Sequence, residues 1–155
     1  MRQGSTAIAR PGTLNPMKLS VKSDYAARAV LGLVRRAHLG VPTPVEVIAT
    51  ENGIPPGYLV QILIELKAQR IVRSQRGKEG GYELARAASE ITLGDIVRCV
   101  HGLGFDTPAI HDPRCPPELQ AAWLRIQSLT HAALDAVNFQ TLADEGRDKD
   151  KMYYI

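Results

Sequence analysis

Four nitrogen or sulfur donors of metal-binding type fall within residues 99–115: Cys99, His101, His111 and Cys115. Thiolate and imidazole are the usual zinc donors, so the chemistry suits zinc, but the spacing matches no zinc-finger or ribbon pattern. Cys115 carries a second option. It stands beside Arg114 and just before the start of a helix, and both a cation and a helix N-terminus favour the reactive thiolate. A different chemistry gathers around residues 73–82. There Arg73, Arg76 and Lys78 accompany a glycine-rich turn, Gln75-Arg76-Gly77-Lys78-Glu79-Gly80, and cations so grouped suit a polyanion. No nucleophile elbow, phosphate loop, paired catalytic carboxylates or HExxH motif occurs, so the chain is not expected to be an enzyme.

The charge distribution agrees with a polyanion partner. Residues 17–86 hold 11 Lys and Arg against 6 Asp and Glu, a net of +5, whereas residues 87–155 hold 6 against 10, a net of −4. Only the front half is basic. At 155 residues, with 45% hydrophobic and 23% charged side chains, the chain can bury one ordinary core. No apolar run approaches the ~18 residues of a membrane span, and the N-terminus has no apolar stretch of secretory type. Two cysteines make no disulfide framework, so a reducing, cytoplasmic setting is expected.

The elements that must position these groups are mostly helical. Residues 1–16 lack an apolar period and read as a flexible extension, with the folded unit beginning at Met17. A helix is predicted from about Ser23 to Leu39, capped by Ser23 or Asp24, with Tyr25, Ala26, Ala29, Val30, Leu33, Val34 and Ala37 on one buried stripe. A short helix follows from Pro44 to about Thr50, then the turn signal Asn52-Gly53, then a third helix from Ile54 to about Gln69. Leu59, Ile62, Leu63 and Leu66 face inward there, while Tyr58, Gln61, Glu65 and Lys67 face elsewhere. Residues 71–74 and 81–84 read as short strands around the basic turn, and a hairpin directly after such a helix pair is a wing. Thr92 caps a helix from Leu93 to His101, residues 102–116 are irregular, and a long helix starts at Pro116-Pro117. In that helix Leu119, Trp123, Ile126, Leu129, Ala133 and Val137 recur at steps of three and four over ~30 Å. A seam that long exceeds what a domain of this size readily covers, so a second copy of the chain is the economical partner, the alternative being that it packs back on the first helix.

The expected fold is thus mainly α: a winged helix-turn-helix over residues 17–101, with a small two-stranded wing. It is followed by a sensor-type loop over 102–116, a dimerisation helix over 117–143 and a flexible tail over 144–155. Double-stranded DNA and a second copy of the chain are the expected partners, the alternative being a protein-interaction module that uses the winged fold without DNA.

Residues 17–143 resemble the Rrf2 family of bacterial transcription regulators. The marks are Met17-Lys18-Leu19-Ser20 leading to Asp24-Tyr25-Ala26, Tyr58-Leu59 with Gln61, Arg76-Gly77 with Gly80-Gly81-Tyr82, and Ile91-Thr92-Leu93-Gly94-Asp95-Ile96. The resemblance implies a homodimer on a palindromic operator, with two third helices entering successive major grooves. Gln61 would then read bases, since its amide pairs with adenine, and Tyr58 would donate to a phosphate. Arg76 matches a minor-groove arginine, and Lys18, Ser20, Arg73 and Lys78 would hold phosphates. Val60 stands where some members have a base-reading glutamate, so their operator sequence does not carry over.

Cluster-bearing members of the family place three cysteines in the loop before the long helix, spaced by about six residues. Cys115 stands where the third would be, and the two preceding positions are Ala109 and Leu103, which ligate nothing. Asp24 matches an aspartate that ligates the cluster in nitric-oxide-sensing members. Three readings of the signal stay open. One has no cofactor, the signal being a small molecule or partner protein. Another uses zinc or an unusual iron–sulfur cluster held by Cys115 with His111, His101, Cys99 or Asp24. The last is a thiol switch at Cys115.

Overall fold

A computed structural model describes residues 19–102 and 105–153. The extension 1–16, Lys18 and Leu103 therefore lie outside the described residues. Helix α1 spans Val21–Arg36, and its cap is Ser20, whose Oγ accepts the Ser23 N–H at 3.3 Å. This places the cap three residues before the expected Ser23 and four before Asp24. Ser23 is buried, and Asp24 sits in the first turn, where a carboxylate complements the positive helix end and pairs with Arg28 at 2.7 Å. After α1 a single 3₁₀ turn, Ala37–Leu39, closes on Gly40.

Helices α2 (Val45–Asn52) and α3 (Pro56–Ala68) form the helix pair. The turn between them needs Gly53, whose φ of 63° is left-handed and costs a side-chain-bearing residue steric strain. Leu59, Ile62, Leu63 and Leu66 are the buried positions of α3, as their spacing requires. Strands β1 (Val72–Gln75) and β2 (Gly81–Leu84) pair antiparallel, with Arg73 opposite Glu83 and Ser74 opposite Tyr82.

The hairpin has a further backbone partner on the outer edge of β2. Thr43 exchanges both backbone hydrogen bonds with Tyr82, each at 2.8 Å, which ties the wing to the segment entering α2. Pro44 restricts Thr43 to extended backbone, which makes that pairing possible. Gly81 lies so close to the Thr43 carbonyl that a Cβ there would overlap it. The glycine is therefore required by the approach of two backbones.

Helix α4 (Leu93–His101) starts with a capping box. The Thr92 Oγ1 accepts the Asp95 N–H, and the Asp95 carboxylate accepts the Thr92 N–H, both at 3.1 Å. Helix α5 runs only over Pro117–Asp135, and α6 follows over Phe139–Tyr153. The expected single helix to residue 143 is broken at 136–138 because other partners claim the backbone there. Val137 O accepts the Leu93 N–H at 2.9 Å, Asn138 forms a bridge with Thr92, and the Phe139 N–H donates to Ile91 O at 3.0 Å. The expected flexible tail at 144–155 is also corrected, since residues through Tyr153 are helical and α6 packs on α1. Phe139 and Ala143 are its anchors, both 1% exposed in the core. That core has α1 at its centre, with α2, α3, α4 and α6 all packed against it.

Candidate nucleic-acid interface

Helix α3 buries one side, so its opposite side is presented outward. Gln61 is exposed there, and Tyr58 is half exposed beside it. The Tyr58 ring is held edge-on against Tyr25, with centroids 5.7 Å apart, and the Arg28 guanidinium lies 5.8 Å from the Tyr25 ring. Such stacking orients the phenol without using its hydroxyl. Glu65 is the acid of α3, and Lys22 of α1 pairs with it at 2.6 Å. A negative charge on the outward helix is thereby compensated from within the chain.

The wing tip stands beside the start of α2, and strand β1 packs on α3. Arg76 and Lys78 are exposed, and neither has an ion-pair partner among the described residues. Arg73 differs. Its Nε pairs across the hairpin with Glu83 at 2.8 Å, so its charge is partly spent on holding the strands together. Lys67 was not among the expected contacts. Its Nζ donates to the Ser74 Oγ at 2.6 Å, fixing a cation between the end of α3 and the wing. The signal for it was its outward position on α3, since lysine at the last turn of a helix also satisfies the dipole. Ser20, expected at a phosphate, is occupied as the α1 cap and hydrogen-bonds through Oγ to the His101 Nε2.

The cysteine and histidine residues do not converge. Cys99 is half-buried against the core, and burial pushes its thiol pKa up, with nearby Glu65 adding to the shift. His101 is engaged at the α1 cap. His111 is exposed in the loop, 3.7 Å from Asp106, and the Cys115 thiol donates to Pro116 O at 3.7 Å. Arg114, expected to favour a thiolate at Cys115, is turned to Asp112 instead. Its Nε lies 3.2 Å from Asp112 Oδ1, and this holds the Asp112 carboxyl below the usual carboxylate value. The loop itself is fastened to α5 by two glutamines one heptad apart. Gln120 donates to Ile110 O at 2.6 Å and Gln127 to Phe105 O at 2.9 Å.

The outer side of α5 has no cover among the described residues. No residue of α5 is buried, and Leu119, Ile126 and Leu129 are 45%, 43% and 64% exposed, while Trp123 is half-buried. Asp135 at the helix end anchors α5 to α4. Its carboxylate pairs with Arg98 at 2.7 Å, which lowers the Asp135 pKa and raises that of Arg98, and Thr92 Oγ1 approaches it at 3.4 Å. Gly94 leaves room for this clasp, since a Cβ there would overlap the Asp135 carboxylate.

A helix pair, a latched basic wing and an uncovered helix define a winged helix-turn-helix protein of the regulator class. Comparison with known proteins narrows the class. Residues 19–145 match the Rrf2 family, described as iron-dependent transcriptional regulators, and the chain belongs to that family. It is 31% identical over 141 residues to the HTH-type transcriptional regulator CymR of Bacillus subtilis, covering 90% of this chain and all of that one. The structure of that CymR, titled the global cysteine regulator, is similar with a TM-score of 0.71 and 29% identity, over 83% of this chain and 98% of the other. IscR of T. potens is similar with a TM-score of 0.72 and 27% identity, over 90% and 98%. A Mycobacterium tuberculosis chain described as a candidate HTH-type regulator is 46% identical over 86 residues. That match spans 56% of this chain and about half, 53%, of the relative.

The family description names iron, and the donor set can be tested against it. Among the described residues, no three His, Cys, Asp or Glu side chains group as a metal site. Cys115 is the single thiol in the loop, and Asp24 is engaged with Arg28 on α1. The described residues of the chain do not fit a cluster.

Proposed function

We propose that this chain is a sequence-specific DNA-binding transcription regulator that acts in the cytoplasm as a homodimer on a palindromic operator. Each α3 enters a major groove, where Gln61 contacts a base edge and Tyr58 a phosphate. Each wing tip reaches the adjacent minor groove with Arg76, and Lys78 and Lys67 neutralise backbone phosphates. The dimer forms through the outer side of α5, with Leu119, Ile126 and Leu129 at its centre and Trp123 at its margin. The observation that carries this reading is the pair of exposed, unpaired cations, Arg76 and Lys78, on a hairpin latched beside an outward recognition helix. No helix among the described residues is long and apolar enough to cross a membrane.

The test is fluorescence anisotropy on random duplex DNA at rising salt. Affinity should fall steeply, with a log–log slope of about −0.9 for each phosphate neutralised. Lys78→Ala should flatten the slope by about 2 in a dimer, one contact from each protomer. Binding that is flat in salt would remove the DNA reading.

A further inference from the structure

We infer that α3 reads thymine through its C5-methyl group and that Val60 is the side chain that does so. The inference rests on the DNA-binding reading above and specifies what the outward helix recognises. At about 100° per residue, the buried residues Leu59, Ile62, Leu63 and Leu66 occupy one side of α3. Gly57, Gln61, Ile64 and Ala68 lie on the opposite side, and Val60 lies at one edge of it, all of them exposed. Val60 is 42% and Ile64 52% exposed, and the two are one helical turn apart. Gln61 is the polar residue at the centre of this side, and Glu65 lies at the edge away from Val60.

An exposed apolar stripe can serve a protein partner or an apolar feature of DNA. Its surroundings favour DNA. Lys67 stands at its C-terminal end, Arg76 and Lys78 lie on the adjoining wing, and the one acid on the helix, Glu65, is already paired with Lys22. A basic frame of this kind suits a polyanion. Within a major groove the base edges present donors and acceptors, and the apolar group among them is the thymine methyl. Val60 lies near the N-terminal end of α3, where recognition helices approach base edges most closely. A valine also offers no acceptor to a cytosine amino group, so cytosine at that position would leave a polar group dry and unpaired. Val60 thus favours thymine by contact and disfavours cytosine by desolvation.

The experiment begins with duplexes selected from a random library by the full-length protein. Each thymine of a selected site is then replaced by deoxyuridine, which removes the methyl and leaves the pairing edge intact. The parent protein should lose about fourfold in affinity at one or two positions of each half-site, the size expected for one methyl withdrawn from water. Val60→Ala, a change at an exposed position, should abolish the thymine-to-uracil ratio at one of them. Gln61→Ala should lower affinity and leave that ratio unchanged. Equal binding to thymine and uracil at every position of a selected site would overturn the inference while leaving DNA recognition in place. So would a Val60→Ala protein that keeps the parent's ratio. Failure to select any sequence, with binding insensitive to salt, would overturn the DNA-binding reading and this inference with it.

Discussion

Replacing Phe139 by alanine tests whether α6 belongs to the folded body. Phe139 is 1% exposed and sits in the same core cluster as Val30, Leu33 and Ile91. A buried phenylalanine removes about 150–250 Å² from water, and its truncation to alanine in a core costs about 3–5 kcal/mol. That is a large share of the roughly 5–15 kcal/mol that holds a typical domain folded. For a chain of this length each kcal/mol moves Tm by about 2–4 °C, so a fall of about 10 °C is expected. Urea and thermal unfolding followed by far-UV circular dichroism, at one fixed protein concentration, provide the measurement. The concentration must be fixed because association shifts apparent stability by mass action. Glu145→Ala, exposed on the same helix, is the control and should stay within about 0.5 kcal/mol of the parent. A Phe139→Ala loss below about 1 kcal/mol would mean that α6 does not complete the core, and the packing argument would fail.

Two further outcomes are expected. Ile126→Asp places a charge in the middle of the exposed α5 seam and should yield monomers in sedimentation velocity with an unchanged helical spectrum, because a charge buried at an interface without a partner is costly. An unaltered mass would move the dimer contact elsewhere. Asp135 titrates below its ordinary value because Arg98 stabilises the carboxylate, so the folded pKa lies under the unfolded one. Its contribution is present above the unfolded carboxyl value of about 3.9 and is lost as pH falls through the lower folded value. Asp135→Asn should therefore be less stable than the parent at neutral pH and equal to it in strong acid. A gap of constant size across that range would refute the role of the ion pair.

The helix pair and the wing were legible in the sequence because each depends on short-range physics. The spacing of Leu59, Ile62, Leu63 and Leu66 defines the inner side of α3 without reference to any other element. Gly53, the glycines of the wing and the Thr92 cap are likewise local, and the structure contains each of them. Boundaries were less legible. The α1 cap fell on Ser20 because a serine, once extended, can accept from the third residue on, and nothing in the pattern distinguished it from Ser23.

What the sequence could not reveal were the contacts between distant segments. Nothing in the residues around Lys22 indicates that Glu65 engages its charge, nor around Arg98 that Asp135 does. The apolar period from Leu119 to Val137 reads as one helix, since periodicity registers which side is apolar and not where the backbone finds other partners. The break between α5 and α6 comes from hydrogen bonds to Ile91, Thr92 and Leu93, more than forty residues earlier in the chain. Residue spacing therefore determined the helices, the wing and the outward side of α3. Only tertiary packing decided which cations remain free for a polyanion, that the donors at 99–115 do not assemble, and that the last helix closes the core. Those outcomes depend on long-range pairing, which competes with local preference and leaves no periodic trace.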